Sequence, residues 1–183
     1  MKRFLICLLA VALVTPLLPG CMSRAIKEGV GVVRGAKGMY APVAPASTPA
    51  EAKILGEYKR FELGAITDDF GGQVPSQLLQ QLPANFAEQI TEARLPNDPS
   101  GKTLSIRGRI LHYEAQGMLG LAFGDFEEVI ARIDFVDKAS GRVVGTANCI
   151  GRTTESVNRG VASKADGLAK AIVSWIADRY PTE

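Results

Sequence analysis

The sequence contains few of the residues from which catalytic and metal sites are usually built. Its 183 residues include one histidine, His112, and three cysteines. A zinc site needs about four ligands, so a single histidine without a cysteine pair argues against one. No G-x-S-x-G nucleophile turn and no P-loop sequence is present. These absences predict a chain with no metal, no cofactor and no hydrolytic triad.

The sequence also lacks a long hydrophobic run, and beyond its first few residues it lacks an excess of basic over acidic residues. It has 21 Lys and Arg against 19 Asp and Glu, and two of the basic residues are Lys2 and Arg3 at the extreme N-terminus. The apolar stretch from Phe4 to Leu18 is interrupted by Pro16 and is shorter than the roughly 20 residues of a membrane span. Without a basic surplus, electrostatics gives no reason to expect nucleic-acid binding.

The N-terminus instead has the features of a lipoprotein signal. A basic start and a short apolar run lead to Leu18-Pro19-Gly20-Cys21, which is the pattern that lipoprotein signal peptidase cleaves once the cysteine is acylated. We therefore predict a signal peptide over residues 1–20 and a palmitate-bearing lipid anchor on Cys21. The alternative is an uncleaved membrane anchor, which would not need Gly-Cys at its end.

The predicted anchor places the protein in the bacterial cell envelope. Met22 and Ser23 stand where an inner-membrane retention signal would carry Asp in enteric bacteria. By resemblance to that rule, we expect attachment to the outer membrane, facing the periplasm. Because Cys7 would leave with the signal and Cys21 would carry lipid, Cys149 has no partner for an intrachain disulfide, and its apolar surroundings predict a buried, inert thiol.

Two segments follow the predicted anchor. Residues 21–52 are rich in Gly, Ala and Pro, a composition typical of tethers. Residues 53–183 carry regular hydrophobic patterns and predict a single α/β domain. The patterns indicate a strand over 58–67, a helix over 75–94, three strands within 104–113, 129–135 and 143–153, and a helix over 163–180.

These elements predict an α+β fold, an α/β sandwich in the order strand-helix-strand-strand-strand-helix. We expect a mixed four-stranded sheet with two helices packed on one face and a partly polar opposite face. Gly141 should adopt a positive φ in a hairpin turn. Pro83 should kink or split the first helix near Leu82, and the last helix should cover the sheet to bury Trp175.

Three stretches share a pattern and an order with known proteins: 104–108, 132–137 with Ser140-Gly141, and 165–169. They resemble a family of uncharacterised bacterial envelope lipoproteins, that of domain of unknown function 4410, over roughly residues 56–180. The resemblance implies an envelope location and an α/β domain, and it brings no catalytic residues with it. Lipoproteins with comparable domains look like accessory parts of envelope assembly or transport systems.

Two surfaces are candidates for contact with another component of the envelope, which is a protein partner or, for the first surface, the bilayer. The first is the loop 117–124, whose apolar side chains lie between glycines: Met118, Leu119, Leu121 and Phe123. The alternative for this loop is that it folds back to cap the core. The second is the open sheet face with Arg107, Arg109 and Arg132. Here the alternative is a solvated ion-pair face formed with the nearby acids Asp134, Glu127 and Glu128.

An enzyme is the competing hypothesis. Asp68 and Asp69 precede Gly71-Gly72 at a strand end, where α/β folds often bind ligands, and His112 could complete a small polar site. Adjacent residues of an extended chain point to opposite sides, however, and Asp and Gly are also the usual residues of turns. We therefore predict a membrane-tethered, non-catalytic interaction domain, with a periplasmic hydrolase or small-ligand-binding protein as the alternative.

Overall fold

The computed structural model describes residues 37–43, 53–69, 71–114, 127–153 and 160–181. These residues form one sheet and two helices. The elements in chain order are β1 (Lys37–Pro42), β2 (Arg60–Asp68), α1 (Ser76–Glu92), β3 (Thr103–Tyr113), β4 (Glu127–Asp137), β5 (Val143–Thr153) and α2 (Gly160–Arg179). In the described part of the chain, no helix is both long and apolar enough to cross a membrane.

The sheet has five strands in the order β1-β5-β4-β3-β2. Strands β2 and β3 are parallel and are connected through α1, whereas the other neighbouring strands are antiparallel. The predicted four-stranded sheet and its element order are therefore wrong. A further strand, β1, comes first in the chain, within residues 21–52, and pairs with β5 from Lys37 opposite Arg152 to Pro42 opposite Ala147.

The extra strand is explained by a close backbone contact between glycines, which we call the glycine contact: Gly38, Gly151 and Gly167. Gly38 in β1 lies opposite Gly151 in β5, and a Cβ on Gly38 would lie 2.3 Å from the carbonyl oxygen of Gly167 in α2. A Cβ on Gly151 would lie 2.4 Å from the Lys164 carbonyl oxygen. Glycine is therefore needed here for close packing of α2 on the sheet edge, not for the flexibility of a tether.

Helix α2 covers the inner face of the sheet and buries Trp175. The Trp175 ring stacks on Phe135 of β4, with ring centroids 3.6 Å apart and planes 7° from parallel. Gly145 of β5 leaves room for this ring, since a Cβ there would lie 2.4 Å from Trp175 Cζ2. The prediction that the last helix hides Trp175 is confirmed. The sheet residues beneath the helices are fully buried: Leu104, Ile106, Ile110, Val129, Ala131, Ile133, Phe135, Ala147 and Cys149.

Helix α1 continues through Pro83 as one helix, so of the predicted kink or split the split is wrong. The residues around the proline hold the helix on the core because they form one buried stripe: Leu78, Leu82, Phe86 and Ile90. Burial of this stripe compensates for the backbone hydrogen bond that proline cannot donate. Helices α1 and α2 pack against each other, so both lie on the inner side of the sheet.

The C-terminus of α1 is closed by a Schellman motif in which the left-handed residue is not glycine. Arg94 has φ 54° and donates its N–H to the Thr91 carbonyl oxygen at 3.0 Å, while Leu95 donates to the Ile90 carbonyl oxygen at 3.1 Å. Leu95 is buried and anchors the motif. Glycine is the usual residue at this position because a Cβ is disfavoured at positive φ.

Candidate interaction surface on the open sheet face

The three predicted arginines lie together on the outer face of the sheet. Arg107 and Arg109 are exposed residues of β3, and Arg132 is a half-buried residue of β4. Arg109 lies directly opposite Arg132, and Arg107 lies opposite Asp134. Because residues two apart on a strand, and residues opposite one another, point to the same side of a sheet, the three side chains share one face.

These arginines line a shallow cavity of about 380 Å³. The remaining residues of its wall are small or polar: Ala65, Thr67, Gly108 and Asp134. The cavity lies where the pairing of β2 with β3 shifts register between Leu63 and Ile66. Such an irregularity bends an edge strand away from the regular ladder, so the concavity depends on β2 as well as on the arginines.

Small residues in the irregular part of β2 leave the arginine side chains uncovered. Gly64 and Ala65 lie in this part of the strand, and a Cβ on Gly64 would lie 3.3 Å from Cγ of Arg107. The aliphatic stem of Arg107 therefore runs alongside Gly64. A larger residue at this position would push against the stem and change the direction of the guanidinium group.

The acidic residues near the arginines neutralise them only in part. Thr146 donates a hydrogen bond to Asp134 Oδ1 at 2.6 Å, and Arg132 Nε donates to the neutral amide oxygen of Asn148 at 3.3 Å. Arg109 Nε lies 3.8 Å from Asp69 Oδ2, in a pair whose side chains are each about half exposed. The wall of the cavity thus carries three positive charges and one negative charge.

The other two acids that could have formed an ion-pair face are engaged elsewhere. Glu128 Oε2 accepts from Arg152 Nε at 2.8 Å. Glu127 Oε2 lies 2.8 Å from Lys164 Nζ, and this pair is buried on the inner side, where the side chain of Lys164 is 1% exposed. The proposed alternative of a solvated network of all these acids with the arginines therefore does not match the contacts.

A row of three apolar residues and one histidine lies next to the arginines on the same outer face. His112 is opposite Ile130, Ile130 is opposite Ile150, and Ile150 is opposite Met39 of β1. The two isoleucines are half-buried, and Met39 is 45% exposed. We call this set the outer row. Arginine and methionine beside apolar residues form a composition common in protein interfaces.

The candidate enzyme residues make separate contacts. Asp68 Oδ2 accepts the backbone N–H groups of Gly72 at 3.0 Å and Val74 at 3.2 Å, which is the turn interaction weighed as the alternative. Asp69 faces Arg109, and His112 is exposed farther along β3. None of these three residues lines the cavity of the arginines.

The buried cation Lys164 was not anticipated from the sequence. Its Nζ donates to the Glu114 carbonyl oxygen at 2.7 Å and lies 4.2 Å from the centre of the Tyr113 ring, in addition to its pairing with Glu127. The sequence does contain a signal for its burial, because Lys164 lies at helical spacing from the apolar residues Leu168, Ala171 and Trp175. This cluster supports the ends of β3 and β4.

A second polar cluster fixes the β4–β5 hairpin. Asp137 is 3% exposed, and its Oδ2 accepts from Tyr58 at 2.9 Å and pairs with Lys102 at 2.8 Å. Its Oδ1 accepts the Ser140 N–H and hydroxyl at 2.8 and 2.9 Å. Gly141 has φ 72°, as predicted for this turn.

The environment of this cluster shifts the proton affinity of its members. The hydrogen bond from Lys102, followed by those from Ser140, holds the pKa of the Asp137 carboxyl well below its usual range. Burial, followed by the hydrogen bond to Asp137, raises the pKa of Tyr58 to about 12. At neutral pH Asp137 therefore stays ionised and Tyr58 stays protonated. These protonation states preserve the hydrogen bond between the two side chains, as a structural role requires.

The remaining sequence predictions concern the cysteines and the loop 117–124, and of these residues only Cys149 is described by the structure. Cys149 is buried, as predicted, and burial raises the pKa of its thiol. Within the described part of the chain, no group of three or more His, Cys, Asp or Glu residues could hold a metal ion. Cys21 and the loop residues Met118, Leu119, Leu121 and Phe123 lie outside the described residues.

Comparisons with known proteins show a likeness of fold. No family model and no curated protein matches the chain. A PelC variant dodecamer from Paraburkholderia phytofirmans matches with a TM-score of 0.51 and 12% identity, covering 79% of this chain and 99% of that chain. A second PelC dodecamer from this organism has a TM-score of 0.48 and 13% identity, with the same coverage of both chains.

A minor lipoprotein from Acinetobacter baumannii is a further structural neighbour, with a TM-score of 0.40 and 14% identity over 66% of this chain and 93% of that chain. At these identities, the first PelC structure shows that this chain shares a known fold, and no more. No family model supports the expected membership in the family of domain of unknown function 4410.

Proposed function

We propose that the chain is a lipid-anchored, non-catalytic interaction domain of the bacterial envelope that holds a protein partner against the open sheet face. The observation that carries this proposal is the convergence of Arg107, Arg109 and Arg132 on one cavity beside the apolar outer row. The acids of the same face offset only part of their charge. A partly neutralised arginine group next to apolar residues favours association with another macromolecule.

The contacts of the candidate enzyme residues favour this function over catalysis. A general acid or base must lie within reach of a bound substrate, whereas Asp68 holds a backbone turn and His112 lies outside the cavity. The buried Asp137 and Lys164 clusters are filled by protein groups. The polar chemistry of the described residues is therefore mainly structural, except on the open face.

The location of the protein in the cell is proposed from the sequence. The sequence Leu18-Pro19-Gly20-Cys21 would give a lipidated N-terminus on the outer membrane, facing the periplasm. An accessory role in envelope assembly or transport follows from this address together with the open face. We also propose the loop residues Met118, Leu119, Leu121 and Phe123 as a second contact with the partner or the bilayer.

Affinity capture of the full chain from detergent-solubilised envelopes tests the proposal. We expect at least one protein captured by the unmodified chain to be lost when Arg107, Arg109 and Arg132 are all replaced by glutamine. Arg142→Gln is the matched control, because Arg142 is exposed and lies at the hairpin turn rather than in the cavity. Identical captured proteins for the triple variant and the control would refute the assignment of the face.

The loop is tested in the same capture experiment. A Leu119→Ser, Phe123→Ser double variant should lose a partner or weaken its recovery if these side chains make a second contact. Unchanged recovery would remove the loop from the proposal and would leave the arginine face to be judged on its own variants.

Assembly of several copies is a second candidate property. In the described part of the chain, the outer edges of β1 and β2 have no neighbouring strand, and open edges offer hydrogen-bonding groups to another chain. The PelC structure with a similar fold is a dodecamer. Light scattering after size-exclusion chromatography in detergent should then give a mass several times that of one chain, whereas a monomeric mass would rule this out.

A further inference from the structure

The spacing of the arginines specifies the chemistry of the partner. We propose that the open face docks an extended acidic segment of a protein partner, with carboxylates on alternate residues, as in Glu-x-Glu. This inference rests on the proposed function and narrows it to one kind of binding motif.

The first argument is charge. The cavity wall carries Arg107, Arg109 and Arg132 against Asp134 alone, and Asp134 already accepts a hydrogen bond from Thr146. The wall itself therefore has an excess of two positive charges, and Asp69, which lies outside the wall and 3.8 Å from Arg109 Nε in a half-exposed pair, offsets this excess only weakly. Two carboxylates match this excess, and each can accept two parallel hydrogen bonds from a guanidinium group.

The second argument is distance. Arg107 and Arg109 are two residues apart on β3, so their Cα atoms are separated by about 6.8 Å along the strand. An extended peptide has the same repeat and presents every second side chain to one side. Carboxylates on alternate residues would therefore reach both arginines, whereas carboxylates on adjacent residues would point in opposite directions.

The third argument is the position of Arg132. It lies opposite Arg109, where paired residues have Cα atoms about 5 Å apart, and its Nε is already held by Asn148. Like charges at directly opposite positions repel each other. A carboxylate bound between Arg109 and Arg132 would relieve this repulsion, so one of the two acidic residues has a preferred place.

Peptide binding tests the inference directly. The full chain in detergent micelles is titrated with fluorescein-labelled peptides of equal length that contain Glu-x-Glu, Glu-Glu or Gln-x-Gln, with threonine elsewhere, and anisotropy is measured. We expect the Glu-x-Glu peptide to bind at least about threefold more tightly than the Glu-Glu peptide, which corresponds to a modest gain from one further exposed ion pair. Its affinity should fall as salt is added.

Variants identify the surface. Arg107→Gln and Arg109→Gln should each weaken Glu-x-Glu binding by roughly threefold or more, and the double variant Arg107→Glu, Arg109→Glu should instead favour a Lys-x-Lys peptide. Arg142→Gln should bind as the unmodified chain does. Circular dichroism of each variant verifies that the fold is retained, as expected for exposed side chains.

Several outcomes would overturn the inference. One is equal affinity for the Glu-x-Glu and Glu-Glu peptides, and another is unchanged binding to the charge-reversed variant. Equimolar inorganic phosphate that displaces the peptide completely would assign the site to phosphate groups instead. Envelope capture that depends on the arginines, together with equal affinity for the Glu-x-Glu and Glu-Glu peptides, would support an interaction domain and refute the proposed spacing of carboxylates. Envelope capture that does not depend on the arginines would refute the proposed function itself.

Discussion

Asp137 connects three parts of the chain through one side chain. It accepts hydrogen bonds from Tyr58 before β2 and from Ser140 in the hairpin, and it pairs with Lys102 before β3. Each of these groups binds the ionised carboxylate better than the neutral acid. The charge on Asp137 is therefore coupled to the folded state.

The pH dependence of stability follows from this coupling. Because the folded-state pKa of Asp137 lies below its unfolded value, which is about 3.9, its contribution is fully present above that value. It is lost as the pH falls through that value towards the folded-state pKa. Asp137→Asn should be less stable than the unmodified chain at pH 7 and should lose less stability on acidification.

Urea unfolding at a series of pH values measures this difference. Glu92→Gln, at an exposed position near the end of α1, serves as the control and should keep the acid dependence of the unmodified chain. Parallel curves for Asp137→Asn and the unmodified chain below about pH 5 would contradict the assignment.

Arg94 provides a test of backbone conformation at a single residue. Its φ of 54° is unfavourable for a residue with a Cβ, so Arg94→Gly should raise the free energy of unfolding by about 0.5–1 kcal/mol. Arg94→Ala keeps the Cβ and should change little. Chemical denaturation of the three proteins measures the effect, and equal stabilities for the glycine and alanine variants would show that φ is not the cause.

At the level of elements, the strands and helices with a strong hydrophobic periodicity could be predicted from the sequence. Residues 104–110 of β3 and 129–135 of β4 alternate between the two faces of the sheet, so the alternation alone was enough to assign Arg107, Arg109 and Arg132 to the outer face. The stripe of α2 likewise predicted burial of Trp175. These predictions depend on local patterns, which a sequence shows directly.

Strand β1 and the cavity could not be predicted in this way. Gly38 has the same appearance in a sequence as a tether glycine, and its need for close approach depends on Gly167, which is 129 positions later. The cavity depends on the register shift in β2 between Leu63 and Ile66. Both features come from pairing between distant segments, and periodicity carries no information about such pairing.

The glycine contact gives a prediction about β1. Gly38→Ala would place a Cβ against backbone atoms of α2, the nearest at 2.3 Å, and backbone cannot move aside as a flexible side chain can. We expect a loss of about 1–3 kcal/mol in stability and faster hydrogen exchange of the β1 amides, measured by mass spectrometry. Ala41→Val, at an exposed position of the same strand, should leave exchange unchanged, and equal protection in both variants would contradict the packing role.

At the level of the whole molecule, the proposed address depends on Cys21. Cys21→Ser should abolish labelling with radioactive palmitate and move the protein from the membrane pellet to the soluble fraction, because an acyl chain contributes about 0.8 kcal/mol per buried methylene. Cys7→Ser, within the proposed signal peptide, should leave labelling and fractionation unchanged. Labelling that persists in Cys21→Ser would refute the lipid anchor.

The place of β1 in the sheet also determines when folding can finish. Ribosomes make the Lys37–Pro42 segment about a hundred residues before its partner strand Val143–Thr153, and Gly167 comes later still. Pairings between such distant segments are slow to form because a long loop must close first. The nascent chain therefore holds β1 unpaired until β5 has been synthesised, and a chain that ends before α2 would lack the helix on which Gly38 and Gly151 pack.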